Sequence, residues 1–152
     1  MIFVTVGTTD FDDLVRALDD LAPTLGDELV IQYGHGTYEP KNCEAFRFAP
    51  SLQPYYEKAD VVVSHGGLCT VMEACQNGLK LVGMANPDRF DDHQSDILAF
   101  MHGAGHMIWC RSYDELPQAI VVARSTTFKP YQVPECRIAE TVQDYLSGLG
   151  RR

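Results

Sequence analysis

Basic residues are scarce in this sequence: 12 lysines and arginines stand against 21 aspartates and glutamates, which gives a formal net charge of −9 at pH 7. A protein that binds a nucleic-acid backbone needs a basic surface, and an anionic membrane attracts basic segments. The composition therefore argues against both as electrostatic partners. If the chain binds phosphate, it must do so locally, with backbone N–H groups at the start of a helix.

Long apolar runs and paired cysteine motifs are also missing. No segment approaches the ~18 uninterrupted apolar residues of a membrane-spanning helix, and the first residues lack the basic leader of a signal peptide. We therefore expect a cytoplasmic chain without a membrane span. The five cysteines form no CxxC pair, which predicts reduced thiols and neither secretory disulfides nor structural zinc.

Short apolar segments rich in β-branched residues alternate with segments of helical periodicity. The predicted strands lie at residues 2–6, 28–33, 44–48, 60–64, 80–85 and 106–110, and the predicted helices at 10–21, 51–59, 67–77, 91–101, 114–124 and 135–146. Asp10 is the expected N-cap of the first helix. This order predicts an α/β fold, with one Rossmann-like domain over residues 1–152, a mostly parallel sheet and helices on both faces.

Ligands of such a sheet gather where its strands end and its helices begin, and two turns of this kind carry suggestive residues. In the first, Gly7 permits a tight turn, and Thr8 and Thr9 could help to hold an anion. The alternative is an ordinary turn followed by a helix cap. In the second, the pair Gly66-Gly67 lets a ligand approach the backbone at the positive end of a helix dipole.

Polar side chains surround the second turn. Thr70 adds a hydroxyl, and Glu73, about one turn later, presents a carboxylate suited to two adjacent ribose hydroxyls. His65 is interpreted as a turn-shaping hydrogen-bonding residue or a ligand contact, while Cys69 and Cys75 are expected in the core. The spacing of His65, Cys69 and Glu73 suggests a metal site, but we do not expect one, because His65 belongs to the strand end and helical spacing does not apply to all three.

A third polar segment follows the fifth predicted strand. Within residues 86–94, His93 and Gln94 offer uncharged donors and acceptors that suit sugar hydroxyls. The alternative is an acidic surface loop with a capping aspartate. The turns match neither the GxGxxG dinucleotide fingerprint, nor a P-loop, nor a GxSxG nucleophile elbow. We predict no metal and no other cofactor.

The order of these motifs resembles a known family. Val-Val-Ser-His-Gly-Gly-x-x-Thr-x-x-Glu-Ala, Gly-x-Lys-Leu-Val and Asp-Asp-His-Gln follow one another at residues 62–74, 78–82 and 91–94. This series resembles the C-terminal donor-binding domain of MurG-like GT-B glycosyltransferases. With its short length and its opening Phe-Val-Thr-Val-Gly-Thr-Thr, the chain looks closest to the stand-alone catalytic subunit of the dolichol-linked UDP-N-acetylglucosamine transferase and to PssE-like exopolysaccharide glycosyltransferase subunits.

The resemblance implies a role for each matched residue. Gly7, Thr8 and Thr9 would face the donor diphosphate from the first turn, and Gly66, Gly67 and Thr70 would hold it at the second. Glu73 would bind the ribose of the uridine. His93 and Gln94 would recognise the donor sugar. Leu68 is a departure, because relatives often carry a small or hydroxylated residue there.

The resemblance also implies a reaction: transfer of N-acetylglucosamine or another hexose from a UDP-sugar to a lipid-linked acceptor, with inversion and without a bound metal. One Rossmann-like domain supplies one wall of the cleft. The acceptor base and the attachment to the cytoplasmic membrane face would then come from a partner subunit. Two alternatives remain, a non-catalytic nucleotide-binding or regulatory protein and a different Rossmann-like enzyme that uses His65 or Cys69 in acid–base or nucleophilic chemistry.

The C-terminal segment offers two interpretations. Ile138, Val142, Tyr145 and Leu146 form an apolar stripe at helical spacing. This stripe either docks on the partner subunit or packs on the sheet of the chain itself.

Overall fold

The computed structural model describes residues 1–89 and 92–149. The strands are β1 (Ile2–Thr5), β2 (Leu29–Gln32), β3 (Glu44–Phe46), β4 (Val61–His65), β5 (Leu81–Met84) and β6 (Ile108–Trp109). The helices are α1 (Asp12–Leu25), α2 (Gln53–Lys58), α3 (Leu68–Gln76), α4 (His93–Gly103), α5 (Leu116–Ser125) and α6 (Ile138–Leu149), and a 3₁₀ turn at Tyr113–Glu115 leads into α5.

All six strands belong to one sheet in the order β3-β2-β1-β4-β5-β6, and each neighbouring pair is parallel. The chain moves outward from β1 to β3, crosses back to β4 beside β1, and moves outward in the other direction. We call the gap between the ends of β1 and β4 the switch point. Open α/β sheets bind their ligands outside the carboxyl ends of the strands at such a place. The predicted α/β fold is confirmed.

The sheet is buried on both faces because its strands alternate two sets of apolar side chains. In β1, Ile2 and Val4 pack with α1 and α5, whereas Phe3 packs with α2, α3 and α4 on the opposite face. In β4, Val61 and Val63 face the first layer and Val62 the second. The central strands therefore read as nearly continuous apolar runs, as parallel strands covered by helices do.

Several predicted boundaries need correction. Asp10 is not the N-cap of α1: the cap position is Phe11, without a capping side-chain hydrogen bond, because the Asp10 carboxylate pairs with Arg89 instead. The third strand ends at Phe46 and not at residue 48. The helix predicted from residue 91 begins at His93, and Asp91 lies outside the described residues.

The last helix begins three residues later than the prediction of 135–146 and continues to Leu149. Arg137 marks its start, since the Arg137 carbonyl accepts hydrogen bonds from both the backbone N–H and the hydroxyl of Thr141. Of the two interpretations of its apolar stripe, packing on the chain's own sheet is wrong. The four stripe side chains, Ile138, Val142, Tyr145 and Leu146, are between 49% and 70% exposed.

Within residues 1–89 and 92–149, none of the helices combines the length and the apolar character needed to span a membrane.

Candidate functional site

The turn after β1 is held by a buried hydrogen-bond network. Gly7 adopts a left-handed backbone conformation with φ of 62°, which favours glycine. Its N–H donates to the Thr5 hydroxyl at 3.1 Å, and its carbonyl accepts from Gln32 Nε2 at 2.7 Å. The Thr5 hydroxyl in turn donates to Gln32 Oε1 at 2.6 Å. The sequence analysis missed Thr5 and Gln32, although a polar residue that ends a buried strand is a recognisable signal.

The turn after β4 needs both of its glycines for packing reasons. A methyl group built on Gly66 would lie 2.8 Å from Gln94 Cβ and 3.0 Å from the Gln94 carbonyl oxygen, at the start of α4. A methyl group built on Gly67 would overlap the His65 ring. Neither glycine has a positive φ, so their role is to let neighbouring groups come close to the backbone.

His65 fills the space between the two turns. The residue is only 8% exposed, and Cε1 of its ring would lie 3.4 Å from a methyl group built on Gly7. Burial is the main reason why the pKa of His65 is lowered, and the positive charge of Arg89 adds to the effect. The imidazole is therefore neutral at pH 7. It acts as a rigid spacer that sets the distance between the first and second turns.

Helix α3 begins at this spacer with its positive end open. Gly67 is its N-cap in an extended conformation, and no side chain among residues 1–89 and 92–149 makes a capping hydrogen bond to it. The first turn of α3 contains no acidic residue. Thr70 lies in that turn, with its hydroxyl 3.6 Å from a methyl group built on Gly7. Free N–H groups and the helix dipole make this helix start attractive to an anion.

Glu73 presents its carboxylate one turn further along α3. The residue is exposed, and the hydroxyl of the buried Tyr56 donates to Glu73 Oε2 at 3.3 Å. Burial raises the pKa of Tyr56, and the charge of Glu73 raises it further, so this hydroxyl keeps its proton and remains a donor. The structure thus holds one oxygen of this carboxylate by a hydrogen bond, one turn beyond the start of α3.

The loop between β5 and α4 brings the third predicted segment to the same edge. Gln94 is buried, and its side-chain oxygen accepts a hydrogen bond from the Asn86 N–H at 2.9 Å. Part of this amide is therefore used to brace the loop. His93 is exposed in the first turn of α4. Phe90 and Asp91 lie outside the described residues.

Asn86 and Arg89 tie this loop to the turn after β1. Asn86 Nδ2 donates to the Asp10 carbonyl at 3.0 Å, and Asn86 Oδ1 accepts from the Asp88 N–H at 3.0 Å. Arg89 Nη2 donates to the Thr9 hydroxyl and to the carboxylate of Asp10. The sequence analysis assigned no role to either residue, because nothing local indicates a partner about 80 positions away.

The predicted site residues thus gather at the carboxyl edge of the sheet. Gly7, His65, the 66–67 turn and Thr70 are in mutual contact or directly adjacent at the switch point. Cys75 is buried as expected, but Cys69 is exposed, because it lies on the outward side of α3. In the part of the chain that the structure describes, no group of three histidine, cysteine or acidic side chains could hold a metal ion.

The fold and this edge define a class of protein. A doubly wound parallel sheet with a glycine-lined helix start at its switch point is the architecture of a nucleotide-binding domain. The chain belongs to glycosyltransferase family 28: residues 1–144 match the model of the Glycosyltransferase family 28 C-terminal domain. The resemblance expected from the sequence motifs is confirmed.

A human protein is similar to this chain in sequence. The chain is 38% identical over 122 residues to the human protein named UDP-N-acetylglucosamine transferase subunit ALG13, an alignment that covers 72% of this chain and 11% of the human protein. The chain therefore spans about a tenth of the length of this curated relative.

Solved structures show the same fold. MurG of Acinetobacter baumannii superposes with a TM-score of 0.61 at 20% identity, over 97% of this chain and 49% of MurG. A solution structure of ALG13 superposes with a TM-score of 0.60 at 19% identity, over 93% of both chains. The chain thus has the fold of one half of a GT-B glycosyltransferase.

Proposed function

We propose that this chain is the donor-binding subunit of an inverting glycosyltransferase, which moves N-acetylglucosamine or another hexose from a UDP-sugar to a lipid-linked acceptor. The observation that carries the proposal is the start of α3 at the switch point, where the N-cap Gly67 has no capping side chain among the described residues and no acidic residue occupies the first turn. The name of the human relative supports the choice of UDP-N-acetylglucosamine as donor.

The open helix start suits the diphosphate of the donor. As the acceptor hydroxyl bonds to the anomeric carbon of the sugar and the bond from that carbon to the diphosphate breaks, negative charge grows on the departing UDP. Amide N–H groups and the dipole of α3 stabilise this charge, and they do so without reorganising because the His65 spacer and the glycine contacts fix them in place. Thr70 adds a hydroxyl donor from the same turn. In this mechanism the leaving group is stabilised without a bound metal.

The remaining predicted contacts follow the donor outward from this point. Glu73 accepts hydrogen bonds from the two ribose hydroxyls of the uridine, with its carboxylate oriented by Tyr56. Thr8 and Thr9 face the diphosphate from the opposite turn. His93 and Gln94 contact the donor sugar at the start of α4. Because Gln94 Oε1 already accepts from Asn86, we assign sugar contact to its amide nitrogen.

A partner subunit completes the enzyme in this proposal. One domain gives one wall of a cleft, whereas transfer needs a second wall that holds the acceptor and its base. The apolar stripe of α6 supports such a partner, since Ile138, Val142, Tyr145 and Leu146 are exposed on one helix. The human relative is itself named a subunit. The partner would hold the lipid-linked acceptor and place this cytoplasmic chain at the membrane face.

Calorimetric titration with UDP tests donor binding directly. The wild-type chain should bind UDP, and Glu73→Ala should weaken binding by about 1–3 kcal/mol, because the ribose loses a charged hydrogen-bond acceptor. Glu57→Ala is the matched control, since Glu57 is an exposed glutamate on α2 whose carboxylate accepts from Gln53. Equal UDP affinity of the wild type and Glu73→Ala would remove Glu73 from the site.

Transfer itself requires a second assay. The chain is mixed with a UDP-sugar and a polyprenyl-linked acceptor, with and without the candidate partner, in the presence and absence of EDTA. Positioning of two reactants is worth about 7–11 kcal/mol of barrier, so the chain alone should be nearly inactive. Robust turnover without the partner would contradict the two-subunit proposal, and a loss in EDTA restored by manganese or magnesium would contradict the metal-free mechanism.

A further inference from the structure

One cationic side chain reaches across the mouth of the switch point. Arg89 extends from the loop between β5 and α4 to the turn after β1, where its Nη2 donates to the Thr9 hydroxyl and to the carboxylate and carbonyl of Asp10. Thr9 is only two positions from Gly7, which abuts the start of α3. The guanidinium is therefore held beside the place where the proposed function puts the donor diphosphate.

This contact can be exchanged at little cost. The Arg89 side chain is 34% exposed and the Asp10 side chain 65% exposed. Ion pairs with this much access to water contribute little to stability. The Asn86 side chain also donates to the Asp10 carbonyl, so the turn after β1 keeps a tie to the loop when Arg89 leaves.

Apart from Arg89, the Asp10 carboxylate has a local side-chain partner, the hydroxyl of Thr9, which donates to Oδ1 at 3.3 Å. It does not cap α1, whose N-cap is Phe11. Its hydrogen bond from Arg89 is the main reason why the pKa of the Asp10 carboxyl is lowered. The Asp10 carboxylate thus binds the Arg89 guanidinium beside a helix start that suits an anion. It takes the place that an anionic ligand would take on this guanidinium.

We propose that Arg89 is an exchangeable latch: it pairs with Asp10 when the site is empty and with the diphosphate of the donor when the site is filled. The inference rests on the proposed function and adds a phosphate-binding residue and an internal competitor to that site. A diphosphate offers more charge than one carboxylate and accepts two parallel N–H bonds from a guanidinium, so it displaces Asp10.

A second guanidinium at the carboxyl edge of the sheet, that of Arg47, is held in a different way from that of Arg89. Arg47 donates to the Gly36 carbonyl at 2.9 Å and to the Gly34 carbonyl at 3.4 Å, and it pairs with Glu39 at 3.2 Å. The Arg47 guanidinium also lies over the aromatic ring of Tyr33, 4.8 Å from the ring centroid, and this contact fixes it further. Because Arg47 is held by backbone carbonyls of the loop between β2 and β3, it is the matched control for Arg89.

The experiment is a double-mutant cycle of Arg89→Gln and Asp10→Asn, with UDP and uridine as titrants. Arg89→Gln should weaken UDP binding by about tenfold or more, because a charge-assisted hydrogen bond is lost, and should leave uridine binding nearly unchanged. Asp10→Asn should tighten UDP binding by about two- to fivefold, because an exposed competing ion pair is removed. In the Arg89→Gln background, Asp10→Asn should have no further effect.

The outcomes distinguish a failure of the latch from a failure of the proposed function. If the wild type does not bind UDP, the proposed function and the latch both fail. If it binds UDP, but Arg89→Gln weakens UDP and uridine equally, or Asp10→Asn tightens UDP just as much without Arg89, the latch alone fails. Arg47→Gln should leave the ratio of UDP to uridine affinity unchanged. Should Arg89→Gln not fold, the direction of the Asp10→Asn effect decides, since weaker UDP binding would overturn the latch.

Discussion

Two helices begin at the switch point, α1 after the first turn and α3 after the second, and their first turns differ in charge. The first turn of α1 contains Asp12 and Asp13, whereas that of α3 contains no acidic residue. Both Asp12 oxygens accept from the Thr37 N–H, at 2.9 and 3.0 Å. The positive end of α1 is therefore occupied from within the chain, and that of α3 is left for a ligand.

The positive ends of these two helix dipoles therefore serve different purposes in the same fold. Burial opposes ionisation of Asp12, but hydrogen bonds from Thr37 and Tyr38 outweigh it and hold the pKa of Asp12 below its ordinary value. This carboxylate stays charged, anchors a neighbouring loop and neutralises the helix end. At α3, glycines and a neutral histidine take the place of carboxylates. The comparison predicts that an anion binds α3 and not α1.

The largest expected effect comes from filling the close approach that holds the start of α3. Gly66→Ala places a methyl group against the Gln94 backbone, which cannot move without shifting α4. The free energy of unfolding should fall by about 1–3 kcal/mol, as in other overpacked sites. Urea denaturation measures it, with Gly103→Ala as control, because a methyl group on Gly103 meets nothing within 4 Å. Equal stability of Gly66→Ala and wild type would show that the contact is loose.

An intermediate effect should follow from making α3 resemble α1. Leu68 is 55% exposed in the first turn of α3, so Leu68→Asp introduces a carboxylate without disturbing the core. The variant should be more stable by about 0.3–1 kcal/mol, because the charge complements the helix dipole. Its UDP affinity should fall by about tenfold, because like charges meet at the helix start.

The melting temperature of Leu68→Asp should rise above that of the wild type, while its affinity for UDP should fall. Leu68→Asn is the neutral control of the same shape and should bind UDP like the wild type. A Leu68→Asp variant with undiminished affinity for UDP would place the diphosphate elsewhere.

The smallest effect concerns the spacer between the two turns. The pKa of His65 is lowered from its ordinary value of 6.5 in the folded state, mainly by burial. The unfolded chain therefore takes up a proton first as the pH falls. The stability that neutral His65 provides is fully present above pH 6.5 and is lost as the pH falls through the lower folded value.

Urea denaturation between pH 7.5 and the onset of carboxyl titration measures this loss. The His65→Asn variant should show a shallower decline over the same range. The lowered carboxyl pKa values, such as that of Asp12, act only at more acidic pH. Identical declines in wild type and variant would mean that His65 is not held neutral by its surroundings.

The sequence was sufficient for features that depend on local pattern. The alternation of apolar and helical segments predicted the parallel sheet, and the glycine pair predicted the turn that leads into α3. Pairings across the chain could not be predicted in this way, because periodicity carries no information about partners. The contact of Arg89 with Asp10 spans 79 positions, and the hydrogen bond from Thr5 to Gln32 joins two strands through their side chains.

Exposure of α6 was equally inaccessible from sequence. An apolar stripe such as that of Ile138 and Val142 has the same pattern whether it faces the chain's own core or a partner. Only the position of the helix, beyond the extended segment that follows α5, separates the two cases.

The central claim, that the start of α3 binds the donor diphosphate, is tested most directly by backbone amide shifts in ¹⁵N-labelled protein titrated with UDP. The amides of residues 66–70 should move with the titration, while those of Asp12 and Asp13 should remain nearly unchanged. Uridine alone should leave residues 66–68 unaffected. Shifts concentrated at the start of α1, or none at residues 66–70 despite measurable UDP binding, would contradict the account.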